Sequence, residues 1–151
     1  MTRLFLAAAT VAGLLTALPA AAQFAKPEDA VKYRKAGMTM MGAHFGRIGA
    51  MAQGKVPFDG AVAASNAAAV AYFANFPFAG FVEGTAGTEK GTPKANVWTD
   101  RAKFDAGAKK MQEETAKLAV AAKANNLDTL KAAFGEAAKT CKACHDDYRN
   151  E

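Results

Sequence analysis

The chain has 151 residues, 51% of them hydrophobic, and a formal net charge of +5 at pH 7. That length suits one domain around one core, and lysines such as Lys55, Lys103, Lys109, Lys117 and Lys131 are spread along it as solvated charge, without the dense run that nucleic-acid binding calls for. The only cysteines are Cys141 and Cys144, which excludes an iron–sulfur cluster held by four thiolates of one chain.

Met1-Thr2-Arg3, an apolar run over residues 4–18 and the small residues Ala20-Ala21-Ala22 stand in the order of a secretory signal, with cleavage expected after Ala22. The run falls short of the roughly 20 residues that span a bilayer, so a membrane anchor is disfavoured. Residues 1–22 are therefore expected to be removed on export, leaving residues 23–151 as one domain without a membrane attachment.

Four helical stripes follow. Val31, Arg34, Met38, Met41, Phe45, Ile48 and Ala52 recur at steps of three and four, which predicts a first helix from Pro27 to about Ala52, with Glu28 and Asp29 in its first turn. Val62, Asn66, Ala69, Phe73 and Phe76 predict a second, capped by Asp59 and stopped by Pro77. The glycine-rich stretch 78–92 lacks both the Gly-Lys-Ser/Thr ending and the flanking strand of a phosphate loop, and reads as a plain connection. Val97, Arg101, Phe104, Ala108, Met111, Thr115, Leu118 and Ala122 predict a third helix ended by Asn125-Asn126, and Leu127, Leu130, Phe134, Ala137, Cys141, Cys144 and Tyr148 a fourth. Four amphipathic helices with no alternating strand pattern specify an all-α fold, an antiparallel up-down-up-down four-helix bundle.

The fourth stripe carries the chemistry. Cys141-Lys142-Ala143-Cys144-His145 holds two thiols able to add across haem vinyl groups and an imidazole placed to bind the iron, which predicts one covalent haem c per chain. A zinc site would need the diverging Cys144 and His145 to close one tetrahedron with Cys141 and His44, which is awkward. A disulfide switch would want the pair at a helix N-terminus, and it lies near a C-terminus.

In the up-down topology the start of helix one, the connection around Glu89 and Lys90 and the end of helix four meet at one end, so these segments are expected to wall the haem. Arg34 is a permanent cation on an inward stripe and needs an anion or a route to solvent; a haem propionate is the preferred partner, with Lys35 beside it. Met38, one turn further on, either ligates the iron or fills the space above it. Tyr148 and Arg149 are expected beside the proximal imidazole, and His44, off the stripe, is expected at the surface or an interface.

The segments Gln23-Phe24-Ala25-Lys26-Pro27-Glu28-Asp29-Ala30-Val31-Lys32-Tyr33-Arg34, His44-Phe45-Gly46-Arg47 and Cys141-Lys142-Ala143-Cys144-His145-Asp146-Asp147-Tyr148-Arg149 together resemble cytochrome c′, over the whole of residues 23–151. The resemblance implies a periplasmic, homodimeric haem protein with five-coordinate, high-spin iron and a crowded distal face open to small gases, with helices one and two forming the dimer contact. By position it makes Cys141 and Cys144 the thioether residues, His145 the axial ligand, Arg149 its basic neighbour, Arg34 and Lys35 the propionate flank, and Met38 the bulky distal residue. The function expected is binding of nitric oxide and carbon monoxide, with nitric oxide sequestration or electron transfer to an unidentified redox partner, and no enzymatic turnover. The alternative is a low-spin electron carrier with Met38 as sixth ligand; a peroxidase would want a distal histidine or arginine and ranks last.

Overall fold

A computed structural model describes residues 23–151; the expected signal segment, residues 1–22, lies outside them. Helix α1 (Pro27–Ala52) opens on its proline with Glu28 and Asp29 in the first turn. It closes where Gly54 takes φ 69° and Lys55 N donates to Ala50 O at 2.9 Å, the 6→1 bond of a Schellman stop. Helix α2 (Gly60–Phe73) is capped by Asp59, whose Oδ1 accepts from Ala61 N and Val62 N at 2.9 and 3.0 Å. A 3₁₀ turn (Pro77–Gly80) and the single-turn α3 (Asn96–Thr99) interrupt the long connection that follows. Helix α4 (Arg101–Ala122) and helix α5 (Leu127–Tyr148) are joined by a short turn in which Asn125 adopts φ 48° and Asn126 caps α5 through Thr129 N.

The short links at 53–59 and 123–126 make α1/α2 and α4/α5 antiparallel hairpins. Each hairpin packs along its length, α2 lies against α4, and α1 touches α5 least, so the ring of four helices is tight along three seams and parted along the fourth. Ile48, Ala63, Ala67, Val70, Leu118, Leu130 and Ala137 are fully buried at the centre. A second apolar cluster at the far end gathers Val97, Phe104 and Tyr148 with Phe78, Phe81, Trp98 and Cys144. The 3₁₀ turn is docked so closely on α1 that a Cβ on Gly80 would stand 2.6 Å from the carbonyl oxygen of Ala30, and one on Gly37 would stand 2.9 Å from Pro77. Among the described residues no helix is long and apolar enough to cross a membrane.

The four-helix bundle expected from the stripes is the fold observed, with two local differences. Helix α2 buries Ala63, Asn66, Ala67 and Val70; of the expected face of Val62, Asn66, Ala69, Phe73 and Phe76, Asn66 is buried and Phe73 packs half-buried on the core, while Val62 and Phe76 are exposed. Alanines let its backbone approach α1 and α4, and that close approach decides the face. The expected third helix is broken at Asp100 (φ −121°, ψ 45°), because Trp98 Nε1 and Arg101 Nη1 both donate to Phe81 O and turn the chain there.

Candidate cofactor pocket

The parted seam between α1 and α5 opens into a cavity of about 740 Å³. Val31, Met38, Met41 and Phe45 of α1 line one side, Cys141, Cys144 and His145 of α5 another, and Phe104, Ala108, Met111 and Thr115 of α4 a third. The loop after the 3₁₀ turn covers the mouth through Gly84, Thr85, Ala86, Gly91, Thr92 and Pro93. The volume falls in the range of sites that enclose a medium-sized organic molecule.

Both thiols reach this cavity from positions one helical turn apart. They are half-buried and free. Burial pushes the pKa of the Cys141 thiol above its usual value, and it pushes that of Cys144 up to about 11, with Cys141 and Asp147 adding to the effect. Neutral, partly buried thiols are poor redox nucleophiles. Among the described residues no three His, Cys, Asp or Glu side chains are grouped to hold a metal ion.

His145 stands at the exposed rim of the cavity, one residue beyond Cys144. Partial desolvation, and then the Arg149 cation, lower its affinity for a proton; Glu151 and Asp146 oppose this. Arg149 lies over Gly91 and shares the lining. Tyr148 is buried, meets Phe104 edge-on at 5.2 Å, and has a hydroxyl without a hydrogen-bond partner among the described residues.

Arg34 is buried at 5% exposure, and its partners are ones the sequence did not disclose. Nη1 donates to Gly80 O (3.0 Å) and to Thr85 Oγ1, Nη2 donates to Thr85 O (2.8 Å), and the guanidinium lies 5.0 Å from the Phe81 ring centre. Three of its five N–H groups are thereby used, and Nε–H and one Nη2–H remain on a charge with no carboxylate partner among the described residues. A buried cation of this kind is stable beside an anion. Two half-buried thiols, an imidazole at the rim, an apolar slot and an uncompensated cation in its wall fit a porphyrin with acidic side arms.

Arg34→Met is expected to cost about 2–4 kcal/mol in urea unfolding of the cofactor-loaded protein, because three charge-assisted hydrogen bonds are lost and their acceptors, on Gly80 and Thr85, stay buried. Arg34→Lys is expected to recover little, since a single ammonium cannot reproduce the fork.

The remaining expected residues divide. Lys35 is exposed at the edge of the lining and Met38 is half-buried within it. Glu89 and Lys90 are exposed at the loop tip and stand off the lining, whose loop portion is backbone and small side chains on either side of them. Topology located the loop correctly, but the tip projects away while Thr92 N and Oγ1 bond back to Glu89 O. His44 is turned out of the cavity, with Nδ1 2.8 Å from Asn66 Oδ1 and its ring stacked on Phe73. Thr85, which anchors Arg34, carries no sequence signal beyond its place in a glycine-rich stretch.

The chain is similar to known proteins over most of its length. The family model described as Cytochrome C' matches residues 29–149. The cytochrome c′ of Alcaligenes xylosoxydans xylosoxydans is 43% identical over 129 residues, covering 85% of this chain and 99% of that protein. The solved cytochrome c′ of Rubrivivax gelatinosus superposes with a TM-score of 0.79 at 43% identity, covering 85% of this chain and all (100%) of that one. A nitric oxide complex of a leucine-to-alanine variant of cytochrome c prime from Alcaligenes xylosoxidans gives 0.78 at 42% identity, covering 85% of this chain and 99% of that one.

Proposed function

Since the chain belongs to the cytochrome c′ family, we propose that it is a periplasmic gas-binding haem protein in which His145 holds the iron on one side and Met38 screens an open position on the other. Its cofactor is covalent haem c, the group this family carries. When bound, that group supplies an iron centre at which a diatomic gas such as nitric oxide or carbon monoxide can bind.

The observation that carries this reading is the make-up of the cavity wall. His145 is the one imidazole in the lining, and it shares α5 with both thiols; the α1 wall includes the apolar Val31, Met38, Met41 and Phe45 beside Arg34, Lys35 and Thr39. His44, the other histidine of the chain, is engaged with Asn66 and Phe73. Cys141 and Cys144 would hold the porphyrin, each by adding its sulfur and its hydrogen across one vinyl group, so that nothing is oxidised. Arg34 offers its two remaining N–H groups to a propionate, and Arg149 keeps a cation beside the proximal imidazole. The apolar α1 wall excludes water and leaves room for a small uncharged ligand.

The test is the absorption spectrum of the reduced protein with and without carbon monoxide. A five-coordinate, high-spin spectrum that changes on adding the gas is expected. A low-spin spectrum indifferent to carbon monoxide would mean that Met38 is on the iron and the protein is an electron carrier.

Export rests on the signal-like order of residues 1–22 and on thioether attachment, which suits the periplasm. Pairing into a homodimer is supported by α2, which carries no charged residue from Gly60 to Phe73 yet leaves one side to solvent. Val62 (46% exposed) and Tyr72 (63%) of α2 and Phe76 (36%) just past its end are exposed, as is Met40 (45%) of α1. Scattered apolar residues are ordinary on a surface, but a run of them along two adjacent helices marks an interface. Tyr72→Glu is expected to weaken the dimer about 30-fold or more, the scale of a lost aromatic anchor of ~2 kcal/mol, read by sedimentation equilibrium.

A further inference from the structure

The last turn of α5 is completed by a segment from elsewhere in the chain. A helix leaves its final carbonyls without intrahelical partners. Here His145 O accepts from Arg149 N (3.0 Å), but Asp146 O accepts from Lys94 Nζ (2.9 Å), Asp147 O from Asn96 Nδ2 (3.0 Å) and Tyr148 O from Lys94 N (2.8 Å). Residues 94 and 96 thus satisfy three carbonyls in a row, and the Lys94 ammonium sits at the negative end of the helix.

Asn150, two residues past the helix, ties the same segment from the other side. Its N donates to Thr92 O (2.9 Å), its O accepts from Gly91 N (2.7 Å), and its Nδ2 donates to Gly87 O (2.7 Å) and Thr92 Oγ1 (3.0 Å). Pro93 and Arg149 face each other as an antiparallel bridge. Gly91, Thr92 and Pro93 are at the same time wall residues of the cavity. The turn that presents His145 and the loop that covers the mouth are therefore laced together.

We propose that Lys94, Asn96 and Asn150 are positioning residues forming a clasp that makes the loop 87–96 and the last turn of α5 one cooperative unit, and that the clasp sets how readily His145 leaves the iron. The role given to His145 rests on the function proposed above. An imidazole one turn from a helix end can depart by rotating its side chain or by fraying of the turn beneath it. Fraying must break the Arg149 N to His145 O bond, and that bond is shielded only as long as Arg149 and Asn150 stay paired with the loop. Local opening of this kind occurs in contiguous units, and here the lacing defines the unit.

The experiment compares the reduced holoprotein with Asn150→Ala and with Lys94→Met, using Lys90→Met at the exposed loop tip as control. Amide hydrogen exchange is measured without gas, and detachment of the imidazole, which a strong bond between iron and nitric oxide would promote by weakening the bond to His145, is followed optically under nitric oxide. Both clasp variants are expected to speed exchange about tenfold in residues 86–94 and 143–149 together, leaving α1 and α2 unchanged, the scale of one or two lost hydrogen bonds. Detachment is expected to rise in step, and Lys90→Met is expected to match the parent. Faster exchange in the loop alone, or in both segments with detachment unchanged, overturns the proposal. A parent protein that ignores nitric oxide sinks the gas-binding reading instead, and the coupling of the two segments is then decided by exchange alone.

Discussion

A chain carrying both Cys141→Ser and Cys144→Ser is expected to release all of its haem on a denaturing gel, where the parent keeps a haem-staining band at its own molecular mass. The serine hydroxyl is close to the thiol in size but is a far weaker partner for addition across a vinyl group, so no thioether forms at either position. Each single variant is expected to retain one thioether and stain in the gel. Noncovalent haem is still expected to enter the double variant, because the apolar wall from Val31 to Phe45 and the Arg34 cation do not depend on the sulfurs. The two findings separate attachment from affinity. A double variant that still stains after denaturation would show that Cys141 and Cys144 are not the anchors.

Met38→Ala is expected to raise the rate of carbon monoxide association about ten- to a hundredfold while leaving the resting high-spin spectrum as it was. The Met38 side chain is half-buried in the cavity lining, and an entering gas must displace it. Burying a side chain of this size contributes about 1.5–3 kcal/mol. If that burial is interrupted on the way in, its removal lowers the barrier by a similar amount, and each 1.36 kcal/mol is tenfold in rate. Met38→Leu, which keeps the bulk and removes the sulfur, is expected to behave as the parent does. A resting spectrum that turns from low-spin to high-spin in both variants would identify the sulfur as an iron ligand. Stopped-flow mixing of the reduced protein with the gas gives both readings in one experiment.

How far the site could be read from the sequence depended on whether a residue's partners were near or far along the chain. The spacing of Cys141, Cys144 and His145 is local, and so was the argument from it. The stripes of α1 and α4 were legible because charged residues such as Lys35, Lys109 and Lys117 mark their outer faces. Helix α2 has no such mark: every turn offers apolar or small residues on all sides, so periodicity could not choose between Val62-Phe73-Phe76 and Ala63-Ala67-Val70. The break at Asp100 was equally hidden, since the three-and-four spacing of Val97, Arg101 and Phe104 runs straight across it and the cause is a distant carbonyl, Phe81 O. Arg34 stood out as an inward charge, whereas its acceptors lie 46 and 51 residues away in the chain. Lys94, Asn96 and Asn150 gave no signal, because what they bond to is backbone, and backbone acceptors carry no residue identity.

The uneven ring of helices has a mechanical consequence. Three joints are packed closely, and across the fourth, where α1 and α5 meet least and flank the cavity, the prosthetic group would be the chief bridge. Haem is then a keystone between two prefabricated hairpins, and damage to its anchorage unlatches the barrel along that one line first, with each hairpin still intact.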